Sequence, residues 1–142
     1  MLVRLMYASR AAEGLKPDAV GAILKKSTAN NPAQGVTGVL CFSGKVFLQV
    51  LEGGRSQVSQ LYNRIAQDPR HTDVVLLSYD EIDERSFAGW AMGQVNMNKL
   101  NPALLLKYSE AAVLDPYAVS GKVSMALFNE LVATASVMCL GS

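Results

Sequence analysis

The sequence predicts an α+β fold of the ferredoxin-like type, in which an antiparallel sheet carries two helices on one face. The apolar periods give the element order βαββαβ, with one further strand after it. Ser43-Gly44 separates two apolar runs and predicts a hairpin between the middle strands. The chain has 142 residues, of which 50% are hydrophobic and 18% charged, which is typical of one soluble domain with a core.

The first strand and the first helix follow from side-chain periods and from proline. Residues 2–9 alternate, with Tyr7 on the more apolar face, and are predicted as a strand. Pro17 suits the first turn of the helix that follows. This helix ends before Pro32, because the residue preceding a proline avoids the helical region. The remaining elements of the sandwich are predicted as strands over 36–42, 45–52, 73–79 and 90–96 and a helix over 56–67.

Two further helices are expected after this sandwich. Asn101-Pro102 opens a short helix that runs through Tyr108, and residues 120–137 form a longer one. We therefore predict a domain over 1–97 and a C-terminal helical extension over 98–142 that packs on the free face of the sheet. The apolar stripe of the longer helix consists of Val123, Leu127, Leu131 and Met138.

Composition and charge exclude several classes of protein. The formal net charge is +1, and the longest basic cluster is Lys25-Lys26, so neither nucleic acid nor an anionic membrane is an expected partner. No apolar run approaches the roughly 20 residues of a membrane span. Two scattered cysteines indicate neither a disulfide framework nor a zinc site, and no other metal site is predicted. A cytoplasmic location is the expectation.

Gln49 does not fit the buried strand in which it lies. An amide buried without partners costs on the order of 1–3 kcal/mol, so we expect a partner for it. Tyr7 is a candidate, because the first and third strands of this fold are usually adjacent. The pair either closes a core hydrogen bond and does nothing more, or it joins the amides of Asn30 and Asn31 in binding a flat ligand with several donors and acceptors.

Several short motifs occur in an order that resembles the BLUF family, sensors of blue light using FAD. The resemblance runs from about Leu2 to Asn96. The motifs are RLMYASR around Tyr7, Asn30-Asn31-Pro32 followed by Gly35-Val36-Thr37-Gly38, FLQVLEG around Gln49, Asp68-Pro69-Arg70-His71, and Arg85-Ser86-Phe87 leading to Trp90-Ala91-Met92.

The resemblance implies that FAD is held without a covalent bond between the two helices of the sandwich. Tyr7 matches the photoactive tyrosine of the family and Gln49 its switching glutamine. Trp90 and Met92 match a pair on the last strand that reports the signalling state. The residues expected to contact the flavin are Tyr7, Ser27, Asn30, Asn31, Gln49, Arg64, Arg70 and His71.

The function that this resemblance implies is a blue-light photoreceptor that signals through contacts with another subunit or a downstream protein partner. We expect a homo-oligomer. We expect no enzyme activity, because the chain ends too soon after the helices for a cyclase or phosphodiesterase. One alternative is a non-photoactive regulatory or oligomerisation module on the same fold. Another is a small acylphosphatase-like hydrolase, but that would need an arginine-lined anion loop, for which the sequence offers no candidate.

Overall fold

The computed structural model describes residues 1–97, 100–134 and 137–139, except for the side chains of residues 17, 20, 24, 27–29 and 137–139. The strands are β1 (Leu2–Ala11), β2 (Thr37–Ser43), β3 (Val46–Gly54), β4 (His71–Ile82), β5 (Gly93–Val95) and β6 (Val137–Cys139). The helices are α1 (Pro17–Asn30), α2 (Arg55–Gln67), α3 (Pro102–Tyr108) and α4 (Gly121–Thr134), with a 3₁₀ turn over Pro32–Gln34. No described helix is both long enough and apolar enough to cross a membrane.

The strands form one mixed sheet in the order β4-β1-β3-β2-β5-β6. β1 lies between β3 and β4 and is antiparallel to both, while β5 runs parallel to β2. The predicted ferredoxin-like arrangement is confirmed, with β1 and β3 as adjacent inner strands, but the parallel β2–β5 pair makes the sheet mixed and not antiparallel as predicted. Their register places Tyr7 directly opposite Gln49.

The two faces of the sheet carry separate hydrophobic clusters. On the side of α1 and α2, which we call the pocket face, the buried residues are Val3, Leu5, Tyr7, Val36, Leu40, Phe47, Leu51, Val58 and Met92. On the other side, which we call the extension face, α3, α4 and the loop between them cover the sheet. The buried residues there are Met6, Ala8, Val39, Cys41, Leu48, Val50, Phe87, Val95, Leu105, Leu114, Leu127, Phe128 and Leu131.

The extension lies close against the edge strand β4. A Cβ added to Gly121, the first residue of α4, would come within 2.1 Å of the Leu77 carbonyl oxygen, so the backbones touch here. The Tyr117 hydroxyl donates to the Asp73 carbonyl oxygen at 2.8 Å. The Arg10 guanidinium lies 4.1 Å above the Tyr117 ring. The division of the chain at residue 97 stays a prediction, but α3 and α4 do share a core with the sheet.

The structure differs from the sequence prediction at the last predicted strand and at the last predicted helix. β5 spans only Gly93–Val95, so Trp90 and Met92 precede it instead of lying on it. Residues two apart on a strand share a face, whereas Trp90 packs against the extension-face cluster and Met92 lies in the pocket-face cluster. The predicted helix over 120–137 is also too long, because α4 ends at Thr134 and Met138 belongs to β6, which pairs with β5.

Candidate functional site

Tyr7 and Gln49 form a buried hydrogen-bonded pair in the centre of the sheet. The Tyr7 hydroxyl donates to Gln49 Oε1, and Gln49 Nε2 donates to Met92 Sδ at 3.1 Å. A thioether carries no proton, so it can only accept, and the amide nitrogen rather than the oxygen must face Met92. The amide that did not fit an apolar strand is therefore partnered at both of its ends.

The Tyr7 phenol stays protonated in this environment. Burial raises its pKa far above the ordinary value, and the nearby Tyr62 and Asp68 raise it further. The rings of Tyr7 and Tyr62 are 5.7 Å apart between centroids. Because the hydroxyl keeps its hydrogen, it acts as a donor and fixes the orientation of the Gln49 amide from the side opposite Met92.

A cavity of about 180 Å³ opens beside this pair, between the two helices and the pocket face. Seven of the eight residues predicted to bind the cofactor line it, namely Tyr7, Asn30, Asn31, Gln49, Arg64, Arg70 and His71. The eighth, Ser27, lies in α1, but its side chain is outside the described part of the structure. The lining residues that the sequence did not single out are Ile23, Lys26, Gln34, Leu61, Ile65 and Asp68.

Asn31 connects the end of α1 to the segment before β5. Its side chain is 2% exposed, and its Nδ2 donates to the Ala91 carbonyl oxygen at 3.1 Å. The backbone carbonyl oxygen of Asn31 accepts the amide hydrogen of Val36 at 2.9 Å, in the turn that leads from α1 to β2. Asn31 and Gln49 therefore hold consecutive residues, Ala91 and Met92.

His71 lies at the start of β4 and lines the cavity. Ser9 Oγ lies 2.8 Å from its Nδ1, and the Phe47 ring lies 4.8 Å from the imidazole between centroids. Burial lowers the pKa of His71 and outweighs the opposing effect of Asp68, so the neutral imidazole is favoured. The sequence did not single out Ser9, because a serine two residues after Tyr7 is not distinctive without its partner.

Arg70 and Asp68 form an ion pair at the cavity rim, where α2 gives way to β4. Arg70 Nη2 lies 2.6 Å from Asp68 Oδ2, and Arg70 Nε donates to the same carboxylate at 3.0 Å. Hydrogen bonding from Arg70 lowers the pKa of Asp68 to about 2. Arg64 Nη2 donates to Gln34 Oε1 at 3.2 Å, which joins α2 to the 3₁₀ turn.

The two predicted reporter residues are on opposite sides of the sheet. Met92 is 1% exposed and contacts Gln49. Trp90 stacks on Phe87 with centroids 6.2 Å apart, and Phe87 meets the Phe128 ring of α4 edge to face at 6.1 Å. The structure brings Met92 to the Tyr7–Gln49 pair and places Trp90 away from it.

Glu52 is a buried charged residue that the sequence analysis missed. It is fully buried, and it accepts hydrogen bonds from the backbone amides of Ser86 at 3.0 Å and Phe87 at 2.7 Å. Arg4 Nε also donates to it, at 2.9 Å. A carboxylate inside an apolar strand needs such donors, so its occurrence in FLQVLEG was the available signal. Glu52 therefore anchors the start of the segment over residues 86–92, which ends at Met92.

Both the sequence and the fold of this chain are similar to those of known proteins. The sequence matches the family described as "BLUF: Sensors of blue-light using FAD" over residues 2–93. It is 37% identical over 92 residues to the photoactivated adenylate cyclase subunit beta of Euglena longa, covering 64% of this chain and 11% of that protein. It is 32% identical over 106 residues to the blue light- and temperature-regulated antirepressor BluF of Escherichia coli (strain K12), covering 73% of this chain and 26% of the relative.

Among solved structures, the fold is similar to that of BlsA in its photo-activated state. The TM-score is 0.83 at 31% identity, and the match covers 97% of this chain and 100% of the other. The chain spans about a tenth of the cyclase subunit and about a quarter of the antirepressor, so the activities of those whole proteins do not transfer with the match. The family match over residues 2–93 covers the pocket, the Tyr7–Gln49 pair and Met92, and the chain therefore belongs to the BLUF family of flavin-binding blue-light sensors.

Proposed function

We propose that this protein is a blue-light photoreceptor that binds FAD in the cavity between α1 and α2 and signals through Tyr7 and Gln49. The observation that carries the proposal is the continuous row of hydrogen bonds from the Tyr7 hydroxyl through the Gln49 amide to Met92, at the wall of that cavity. A core that serves packing alone does not require hydrogen-bonded polar side chains at the wall of a cavity.

The residues of the cavity fit a flavin. Its planar ring needs apolar walls, which Ile23, Leu61 and Ile65 supply. Its polar edge needs hydrogen-bonding groups, which Asn31 and His71 supply. The cavity is smaller than the roughly 300–1,000 Å³ that is typical for whole drug-sized ligands, so it encloses only part of one. The cations Lys26 and Arg64 line it outside the Arg70–Asp68 ion pair, and they suit the phosphates of FAD and favour it over riboflavin.

A bound flavin supplies absorption of blue light and, once excited, an acceptor for an electron. The protein supplies the rest of the chemistry from Tyr7 and Gln49. A phenol that has lost an electron becomes a strong acid, so the Tyr7 proton transfers along the existing hydrogen bond to Gln49 Oε1. Burial keeps that proton on Tyr7 in the dark, which confines the transfer to the illuminated state.

Gln49 then converts the proton transfer into a change of packing. If its amide rotates, Oε1 comes to face Met92 Sδ, where Nε2 donated before. Once the electron and the proton have returned to Tyr7, Oε1 again carries no hydrogen. It then cannot bond to the thioether sulfur, which also has none, so Met92 must move. In the tautomer of the amide, Oε1 carries a hydrogen and Nε2 keeps only one, so the donors that Gln49 presents change without a rotation. Either form would change the hydrogen bonding that Gln49 offers to a bound flavin, and would so lower its absorption energy slightly.

The motion of Met92 has a short route to the extension face. Ala91 and Trp90 precede Met92 in the chain, and Trp90 stacks on Phe87, which contacts Phe128 of α4. We infer that illumination shifts α3 and α4 and changes contacts with another copy of the chain or with a protein effector. The relatives named as a photoactivated cyclase and a light-regulated antirepressor support a protein effector, without identifying it.

One spectrum tests the photoreceptor. The purified protein should be yellow, release FAD on denaturation, and show a small reversible red shift of its flavin absorption after blue light. A flavin-free protein that cannot be reconstituted contradicts the proposal and favours the non-photoactive module. A flavin that is bound but shows no reversible shift contradicts the role of Tyr7 and Gln49.

The route to the extension face needs a separate experiment. Amide hydrogen exchange is compared in the dark and under continuous blue light, and light scattering follows the association state in parallel. We expect faster exchange in α3 and α4 under light. Unchanged exchange there, together with a normal spectral shift, would place the output surface elsewhere.

A further inference from the structure

Ser9 lies on the cavity side of β1, two residues after Tyr7, and is fully buried. Its hydroxyl lies 2.8 Å from Nδ1 of His71, the single histidine of the chain. Among the described residues, this nitrogen is the one hydrogen-bond partner of the Ser9 side chain. No described residue is hydrogen-bonded to the other ring nitrogen of His71, Nε2, and His71 lines the cavity.

The positions of the hydrogens follow from counting donors and acceptors. A serine hydroxyl carries one hydrogen, and a neutral imidazole carries one hydrogen on either Nδ1 or Nε2. If Nδ1 held the hydrogen, it would donate to Ser9 Oγ, and the serine hydrogen would remain buried with no acceptor among the described residues. If Nε2 holds it, Ser9 donates to the bare Nδ1, so the buried hydroxyl and Nδ1 are both satisfied and only the Nε2 hydrogen is left for a ligand. Unpaired buried donors are costly, so the second arrangement is favoured.

We propose that Ser9 is a positioning residue that holds His71 in the tautomer with its hydrogen on Nε2, so that the cavity presents an N–H donor to the ligand. This rests on the proposed flavin site, because a donor here calls for a carbonyl oxygen or an unprotonated ring nitrogen on the ligand. The neutral state that the tautomer requires agrees with the burial of the ring, which lowers the pKa of His71. Asp68 and Arg70, the charged neighbours of the ring, act on it in opposite directions.

Nitrogen-15 NMR of the full chain tests the tautomer directly, because one histidine gives one set of imidazole signals. The flavin-free protein at neutral pH should show a protonated Nε2 and an unprotonated Nδ1. A hydrogen on Nδ1 would overturn the proposal. This measurement needs neither a variant nor a photocycle.

Variants then separate positioning from packing. Ser9→Ala removes the donor, and we expect a mixture of the two tautomers and about three- to tenfold weaker flavin binding, the size of one neutral hydrogen bond. Ser9→Thr keeps the hydroxyl and should restore the Nε2–H tautomer, although its extra methyl enters a tight site. Ser56→Ala, on the exposed start of α2, is the matched control and should change neither the tautomer nor the affinity.

The outcomes distinguish this proposal from the photoreceptor. An unchanged tautomer in Ser9→Ala overturns the role of Ser9, whatever the colour of the protein. A changed tautomer with unchanged flavin affinity overturns the donor to the ligand. A chain that shows the expected tautomer and its loss in Ser9→Ala, but binds no flavin, contradicts the photoreceptor and leaves the Ser9–His71 assignment supported.

Discussion

The two faces of the sheet use the same strands for different purposes. β3 presents Phe47, Gln49 and Leu51 to the pocket face, and Leu48 and Val50 to the extension face. The buried polar side chains that line the cavity are on the first face, whereas the second face carries the larger hydrophobic cluster. Because successive side chains of a strand point to opposite faces, a residue that lines the cavity is followed by one that packs against the extension. A signal that arises on the pocket face must cross the sheet to reach the extension.

The chain crosses the sheet in the segment before β5, residues 86–92. Phe87 and Trp90 lie on the extension face and Met92 on the pocket face, so this segment passes from one side of the sheet to the other. Glu52 holds its start, and Asn31 and Gln49 hold its end. The central strands are fixed by their ladders on both sides, whereas this segment is held by single hydrogen bonds, so we expect a light-driven shift there first.

The largest expected difference between the faces concerns photochemistry. Tyr7→Phe removes the hydroxyl that donates to Gln49, and Gln49→Leu removes the amide, so each should abolish the light-induced red shift completely while flavin stays bound. Val50→Ala, on the neighbouring position of the same strand, is the control. It should keep the red shift while losing about 1–3 kcal/mol of stability through the cavity it leaves. A normal photocycle in Tyr7→Phe would refute the assignment.

The reverse experiment removes packing without touching the chemistry. Phe128 is fully buried on the extension face and contacts Phe87, so Phe128→Ala should lower the free energy of unfolding by about 3–5 kcal/mol. Urea denaturation measures this loss, and the dark spectrum should be unchanged below the transition. Val113→Ala, at a side chain that is 60% exposed, should cost almost nothing. A loss of the red shift in folded Phe128→Ala would mean that the faces are more tightly coupled than their separation suggests.

A smaller effect is expected where the segment is anchored. Glu52→Gln keeps the shape of the side chain but loses its charge and turns one acceptor into a donor. Hydrogen bonds to charged groups contribute about 1.5–3 kcal/mol, so we expect a stability loss in this range and faster amide exchange at Ser86 and Phe87. Glu81→Gln is the control, because Glu81 pairs with Arg55 at the surface. Unchanged exchange at Ser86 and Phe87 would show that Glu52 does not hold the segment.

The sequence predicted those parts of the site that depend on local periods. The alternation of β1 and β3, with the usual adjacency of these strands, was enough to pair Tyr7 with Gln49. It was not enough for the segment at Trp90, because alternation assumes a continuous strand and this segment is not one. Ser9–His71 and Glu52–Phe87 join residues 62 and 35 positions apart, and neither member of either pair indicates its partner locally.

The last strand was missed for a related reason. The apolar stripe of α4 continues in period to Met138, but β6 pairs with β5 instead. Residues 137–139 are apolar enough for either a helix or a strand, and the edge of the sheet that β5 offers is a tertiary feature. Propensity within the segment therefore could not decide between them.

The smallest expected effect is the pH dependence of the cavity rim. The pKa of Asp68 is lowered to about 2 from 3.8, so the ion pair with Arg70 stabilises the folded state above the ordinary carboxyl pKa. That contribution is lost as the pH falls from about 4 to about 2. Because both partners are partly exposed, we expect no more than about 1 kcal/mol. Urea midpoints at pH 5 and pH 3 should move closer together in Asp68→Asn than in the wild-type protein. Arg70→Gln removes the same pair and should give the same reduction, whereas an Asp68→Asn variant with the full wild-type acid dependence would place the acid-sensitive group elsewhere.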